Sequence, residues 1–143
     1  PEDSGEGMSW SLPENHMMDV PGGTGTEIGK GYQNTKNIID LNGHGDFYAA
    51  DLAQLYDGGG YNDWFLPSKE ELNKMYINLQ SGLDENGESF VPIGDFIDHG
   101  KYWSSSELNS YYAWVLEFIS GYPRPFPKDY NDYILRVRAI RAF

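Results

Sequence analysis

After residue 100, hydrophobic and polar positions alternate with a period of two, the spacing of strands that bury one face. Three runs carry the pattern: YWSSSE at 102–107, AWVLEFI at 113–119 and YILRVRAIRAF at 133–143. Trp114, Leu116 and Phe118 share a face of the second, and Leu135, Val137 and Ala139 lie opposite Arg136 and Arg138 in the third. Upstream the period lengthens. Tyr48, Leu52, Leu55 and Tyr56 fall on one helical face, predicting a helix capped by Asp46 and ended by Gly58-Gly59-Gly60. A second helix is better marked: Ser68 and Glu71 have the spacing of a capping box, Leu72, Met75, Tyr76 and Leu79 form its buried stripe, and Gly82 closes it. Residues 1–37, broken by Pro13, Pro21 and repeated glycines, read as mostly irregular, with MSWSL the only strand-like run. Helices followed by antiparallel strands predict an α+β domain.

At 143 residues and 16.2 kDa the chain is long enough for one domain over 1–143 with its own core, residues 1–20 reading as an incomplete N-terminal part. There is no cysteine, which removes disulfides, zinc thiolates and thiol nucleophiles. The 22 acidic against 10 basic residues give a formal charge of −12, which repels phosphate backbones, so nucleic acid is not an expected partner. No apolar run approaches the length of a membrane span, so no membrane insertion is expected. Seventeen glycines, 11 tyrosines and 4 tryptophans indicate a loop-rich domain whose rings supply much of the buried area.

Candidate chemistry mostly cancels. GGTGTEIGKG (22–31) has Thr24 where a phosphate loop needs its first glycine and Gly31 where Ser or Thr must follow the lysine. Asp40, Asn42, Gly45 and Asp51 mimic a calcium loop, but His44, Phe47, Tyr48 and the short Asp51 spoil it, and an Asx/Gly turn is the simpler reading. His16, His44 and His99 stand in separate segments. Ser104, Ser105 and Ser106 lack a glycine elbow and read as strand hydroxyls bonded to local backbone. No catalytic residue, metal or cofactor is expected.

SGYPRPFPKDYNDY (120–133) raises a different question, because it puts four aromatic rings and three prolines in a connection between strands. Connections are normally polar and bury little. Tyrosines offer large contact area with few rotors, and prolines reduce the entropy lost on binding, so the stretch fits a preorganised binding surface. The alternative is that its rings fold over the sheet as a satellite core.

GGYNDWFLPSKEELNKMY (59–76), with YWSSSE, AW (113–114) and RVRAIRAF (136–143), resembles the Lcl C-terminal-like domain, a C-type-lectin-like family of bacterial surface adhesins. It is also similar to the variable proteins of diversity-generating retroelements, which share that fold. The resemblance covers about residues 20–143 and implies two helices, a small twisted antiparallel sheet, long ligand-presenting loops and no catalysis. The cysteines of related sulfatase-modifying enzymes are absent, and YNDW is not the W-N-D of calcium lectins, so neither activity is carried over. The sulfated glycans associated with the adhesins fit poorly with a charge of −12.

In retroelement variable proteins, randomised codons never encode Trp, Glu, Gln, Lys or Met. Between Leu108 and Leu135 those types occur only at Trp114, Glu117 and Lys128, whereas Trp64–Phe90 holds nine of them. The resemblance therefore implies a ligand-binding set of Leu108, Asn109, Ser110, Tyr111, Tyr112, Tyr122, Arg124, Phe126, Asp129, Tyr130, Asp132 and Tyr133 on a fixed scaffold. The tyrosines at 111, 112, 122, 130 and 133, with Arg124 and Phe126, are expected to form one exposed patch. Trp64, Leu66, Trp103, Trp114 and Phe118 are expected to be framework. The implied function is recognition of a protein or glycan on another cell, from an extracellular, cell-surface or virion-associated position. The alternative function is a structural domain of a larger surface protein.

Overall fold

The computed structural model describes residues 5–45, 47–83, 86–89, 92, 96, 100–132 and 135–142. Three α-helices, α1 (Gly31–Asn42), α2 (Ala49–Leu55) and α3 (Lys69–Met75), precede strands β2 (Lys101–Glu107), β3 (Tyr112–Glu117), β4 (Pro123–Pro127) and β5 (Leu135–Val137). A two-residue strand β1 (Gly5–Glu6) joins the far edge, giving the order β1-β5-β2-β3-β4. The domain is α+β, as expected. The sheet is mixed rather than antiparallel, because β5 runs parallel to β2 while β2, β3 and β4 form a meander.

Both faces of the central strands are buried. Trp103 opposes Val115 on one face and Tyr102 opposes Leu116 on the other. The first face packs Trp103, Ala113, Val115, Leu135 and Val137 against Ile38 and Ile39 of α1 and Ala49, Ala50 and Ala53 of α2. The second packs Tyr102, Leu116 and Phe118 against Phe96 and Leu72, with Met75, Tyr76 and Leu79 closing over them. Arg136 and Arg138 lie opposite Leu135, Val137 and Ala139 as expected, yet Arg138 is buried, its guanidinium 4.3 Å from the Phe96 ring centre.

The helix at Ser68 forms as its sequence predicts. Ser68 Oγ accepts from the Glu71 amide at 3.3 Å and Glu71 Oε2 accepts from the Ser68 amide at 2.7 Å, satisfying two otherwise orphaned N–H groups. The helix continues past Met75 into a wider turn over Tyr76–Gln80.

Four expectations fail. Helix α1 occupies residues assigned to irregular chain and to a turn. Its inward positions include Asn34, Thr35 and Asn42, which hydrogen-bond neighbouring loops instead of supplying an apolar stripe. Helix α2 starts at Ala49, not at the Asp46 cap, which lies outside the described residues, and its inward face carries three alanines, Ala49, Ala50 and Ala53, while Leu55 is 60% exposed. The last strand spans only Leu135–Val137, with Ile140 bridging Phe65 beyond it, and MSWSL forms no strand. Trp10 within that run is nevertheless fully buried and donates its indole N–H to the Ser104 carbonyl at 2.8 Å.

The framework residues divide. Leu66, Trp103 and Phe118 are fully buried, whereas Trp64 and Trp114 are half-buried. Trp64 packs edge-on to Tyr56 at 4.9 Å, and Trp114 carries the Lys69 ammonium 3.9 Å from its ring centre. No described helix is long and apolar enough to cross a membrane.

Candidate ligand-binding hairpin

The stretch 120–133 is not a connection. Its centre, PRPFP, is the edge strand β4, paired with β3 from Leu116↔Pro123 to Tyr112↔Pro127. The tight turn at 118–121 is closed by the Gly121 amide on the Glu117 carbonyl at 2.7 Å. Gly121 has φ +70°, and a side chain there would collide with the Tyr76 ring, so glycine is required on both counts.

Strand alternation sorts the side chains. Arg124 and Phe126 lie on the face of Ala113 and Val115, and Tyr112 and Trp114 lie on the other with the three proline rings. Phe126 is half-buried against the first core, its ring 6.5 Å from that of Trp103 and 5.3 Å from that of Tyr130. The satellite-core reading therefore holds for Phe126. Arg124 is exposed, with Nε 3.0 Å from Glu117 Oε1. Burial alone would raise the Glu117 carboxyl, but the Ser120 hydroxyl, Arg124 and Lys101 outweigh it and hold it below the usual glutamate range.

The expected single patch is two clusters, separated by the length of β4, roughly 14 Å at strand rise. At the turn after Lys128, Asp129, Tyr130 and Asp132 share an end of the sheet with Leu108, Asn109, Ser110 and Tyr111 of the β2–β3 turn and with Tyr112 at the start of β3, the two segments joined by the Lys128 amide on the Tyr111 carbonyl at 2.9 Å. Leu108, Tyr111, Tyr112 and Tyr130 are 39–53% exposed there. Asn109 is committed to the turn, its Oδ1 accepting from the Tyr111 and Tyr112 amides at 2.9 and 3.0 Å. Tyr122 stands at the opposite end, 65% exposed, beside an exposed Ile119 that the sequence reading missed. Tyr133 lies outside the described residues.

One structural element of the site escaped sequence reading. Lys128 is buried; its Nζ donates to Glu107 Oε2 at 2.7 Å and to the Met18 carbonyl at 2.8 Å, and sits 4.8 Å from the Trp10 ring centre. Glu107 also accepts from the Val20 amide at 3.1 Å. The tyrosine-rich turn is thereby fastened to the irregular N-terminal segment. The available signal was a single lysine in an otherwise acidic loop.

Other candidate groups are occupied. The hydroxyls of Ser104 and Ser106 donate to the carbonyls of Trp114 (2.9 Å) and Gly25 (2.8 Å), and Ser105 Oγ accepts from Asn34 at 3.1 Å. Asp40 and Asn42 lie within α1, and buried Asp51 accepts from the Gly45 amide at 2.9 Å with His44 Nδ1 3.1 Å away. His16 bonds the Ser11 carbonyl at 2.8 Å, and His99 lies outside the described residues. The glycine-rich stretch enters the N-terminus of α1 and borders a shallow cavity of about 400 Å³, its backbone held at Gly25 by both ends of the Asn34 amide. Thermal unfolding is expected to coincide with and without a strong chelator, since a native-state ion would raise stability by mass action; a large chelator-dependent drop would refute this.

The placement of the rings also predicts a split in stability. Replacing Tyr111, Tyr122 and Tyr130 together by serine is expected to leave the melting temperature within a few degrees of wild type, because exposed substitutions change stability by only about 0.5 kcal/mol each. Phe126→Ser alone is expected to lower it by more. Equal melts for the two variants would contradict the burial of Phe126. No family model and no curated protein matches the chain.

Proposed function

We propose that the protein is a non-enzymatic ligand-recognition module of C-type-lectin-like type, which meets a protein or glycan on another cell through the β3–β4 hairpin and its flanking turns. The observation that carries this reading is the concentration of exposed rings. Four of the six large exposed tyrosines among the described residues, Tyr111, Tyr112, Tyr122 and Tyr130, belong to this hairpin and its flanking turns. They stand on hydrogen-bonded strands and tight turns, so little ordering entropy opposes binding.

The division into fixed and variable positions supports a retroelement-type variable region. Trp114, Glu117 and Lys128, the three residues a randomised codon of that kind cannot supply, are each tied to the framework through Lys69, Lys101 and Glu107. Leu108, Tyr111, Tyr122 and Asp129 around them are exposed. A module of this kind works outside the cell, at a cell surface or on a virion.

The test has two arms. Purified domain, multimerised on fluorescent beads, is screened against glycan arrays and intact cells, and the Tyr111, Tyr122 and Tyr130 triple serine variant is run beside it. Loss of the wild-type signal with an unchanged melt is the expected result; a signal that survives the triple variant removes the hairpin as the site. In the coding DNA, a nearby copy of codons 108–133 differing at adenines and a reverse transcriptase gene are expected. Their absence refutes diversification while leaving ligand binding to the first arm.

A further inference from the structure

The prolines of β4 occupy only alternate positions, and their phase relative to β3 has a consequence for what can bind. The Glu117 amide donates to the Tyr122 carbonyl at 3.1 Å and the Lys128 amide to the Tyr111 carbonyl at 2.9 Å. In an antiparallel pair these bonds fix which residues turn their main-chain groups toward the neighbour: Tyr122, Arg124, Phe126 and Lys128 face β3, and the residues between them face away. Those between are Pro123, Pro125 and Pro127. Every outward position of this edge is thus a residue with no N–H.

An ordinary strand edge offers alternating donors and acceptors and so templates a further strand. Here no donor remains. The outward carbonyl of Pro127 accepts from the Tyr130 amide at 3.0 Å, which closes that end of the edge. An incoming strand therefore finds no amide hydrogen for its own carbonyls, and each of those carbonyls would be desolvated against a proline ring at a cost of about 1–3 kcal/mol. The same prolines that make the segment look like a connection are compatible with an edge strand because their missing hydrogens never point into the sheet.

We propose that the outer edge of β4 is closed to strand addition, so that the hairpin engages its partner through side chains and admits neither an extended peptide nor a second copy of this chain as an added strand. This rests on the reading of the hairpin as the ligand-binding element and narrows its partner. An exposed aromatic binding face on a sheet edge is otherwise an aggregation hazard. The prolines let the tyrosines stay in solvent without inviting a neighbouring β4.

The experiment restores the missing amides. The variant P123V/P125V/P127V, checked for folding by circular dichroism, is compared with wild type by sedimentation velocity over a range of concentrations. Both are also titrated with a synthetic peptide of residues 122–128 carrying the same three valines. The variant is expected to self-associate and to take the peptide at least about ten-fold more tightly than wild type, a difference of about 1.4 kcal/mol. P125V alone serves if the triple variant melts early, and is expected to show the same direction for the peptide. Wild type binding the peptide as tightly as the variant, or a folded variant that neither self-associates nor takes the peptide, overturns the proposal. No natural ligand enters these measurements, so their failure is distinct from failure of the tyrosine variants to affect ligand binding.

Discussion

Replacing Trp103 or Trp10 by alanine is expected to lower the melting temperature by roughly 10–20 °C or to prevent expression, since truncating a buried tryptophan costs about 3–5 kcal/mol in a domain stabilised by about 5–15. Both indoles are fully buried in the first core and each spans the same joint. Trp103 donates to the Met8 carbonyl and Trp10 to the Ser104 carbonyl, both at 2.8 Å, so each crosses between the sheet and the irregular N-terminal segment. Alanine removes the ring and also leaves a carbonyl without its donor. Trp114→Ala is expected to be milder, because Trp114 is half-buried beneath the Lys69 ammonium rather than in the core. Wild-type melts for Trp10→Ala and Trp103→Ala would refute their place in the core. A Trp114→Ala variant melting as low as Trp103→Ala would refute the ranking.

The contrast between these indoles also marks how far the sequence was legible. Trp103 and Leu116 sit in period-two runs, and alternation assigns each to its face of the sheet, although burial of both faces is settled only by the helices that cover them. Ser68 and Glu71 announce their helix through a bonding requirement that needs no tertiary contact. Helix α1 was hidden because the information for it is tertiary: Thr35 and Asn42 face inward to hold Leu66 and Leu12, some thirty residues away, and Asn34 holds the preceding loop at Gly25. Polar residues at buried positions erase the periodicity that sequence reading depends on. Trp10 escaped for the same reason, since irregular chain has no period from which burial can be read.

The candidate site was legible in composition and not in arrangement. Tyr111, Tyr112, Tyr122 and Tyr130 are exposed as expected, yet alternation carries Phe126 onto the face of the core and the length of β4 separates Tyr122 from the other three. Proline was the misleading signal, because it argues against a strand unless its phase within the pair is known. That phase depends on the register with β3, which emerges only when Lys128 and Tyr111 are seen to be bonded.

Lys128→Met is expected to produce the other large loss, up to about 3–5 kcal/mol, because removing one partner of a buried ion pair strands the other charge. The Lys128 ammonium is fully enclosed, and Glu107, 2.7 Å away, is mostly covered. Without Lys128 the Glu107 carboxylate keeps the Val20 amide but loses its cation, and the Met18 carbonyl loses its donor. Burial of a pair is poor grounds for net stabilisation against an apolar replacement, so the double variant Lys128→Met with Glu107→Gln is expected to recover part of the loss. The functional consequence follows from position. Lys128 directly follows β4 and precedes Tyr130, while its amide holds Tyr111, so releasing it loosens the turn that gathers Tyr111, Tyr112 and Tyr130. Binding through that cluster is therefore expected to fall in Lys128→Met even at temperatures where circular dichroism reports a folded sheet. A single variant that melts like wild type, or a double variant that melts lower than the single, would show that the pair does not fasten the turn.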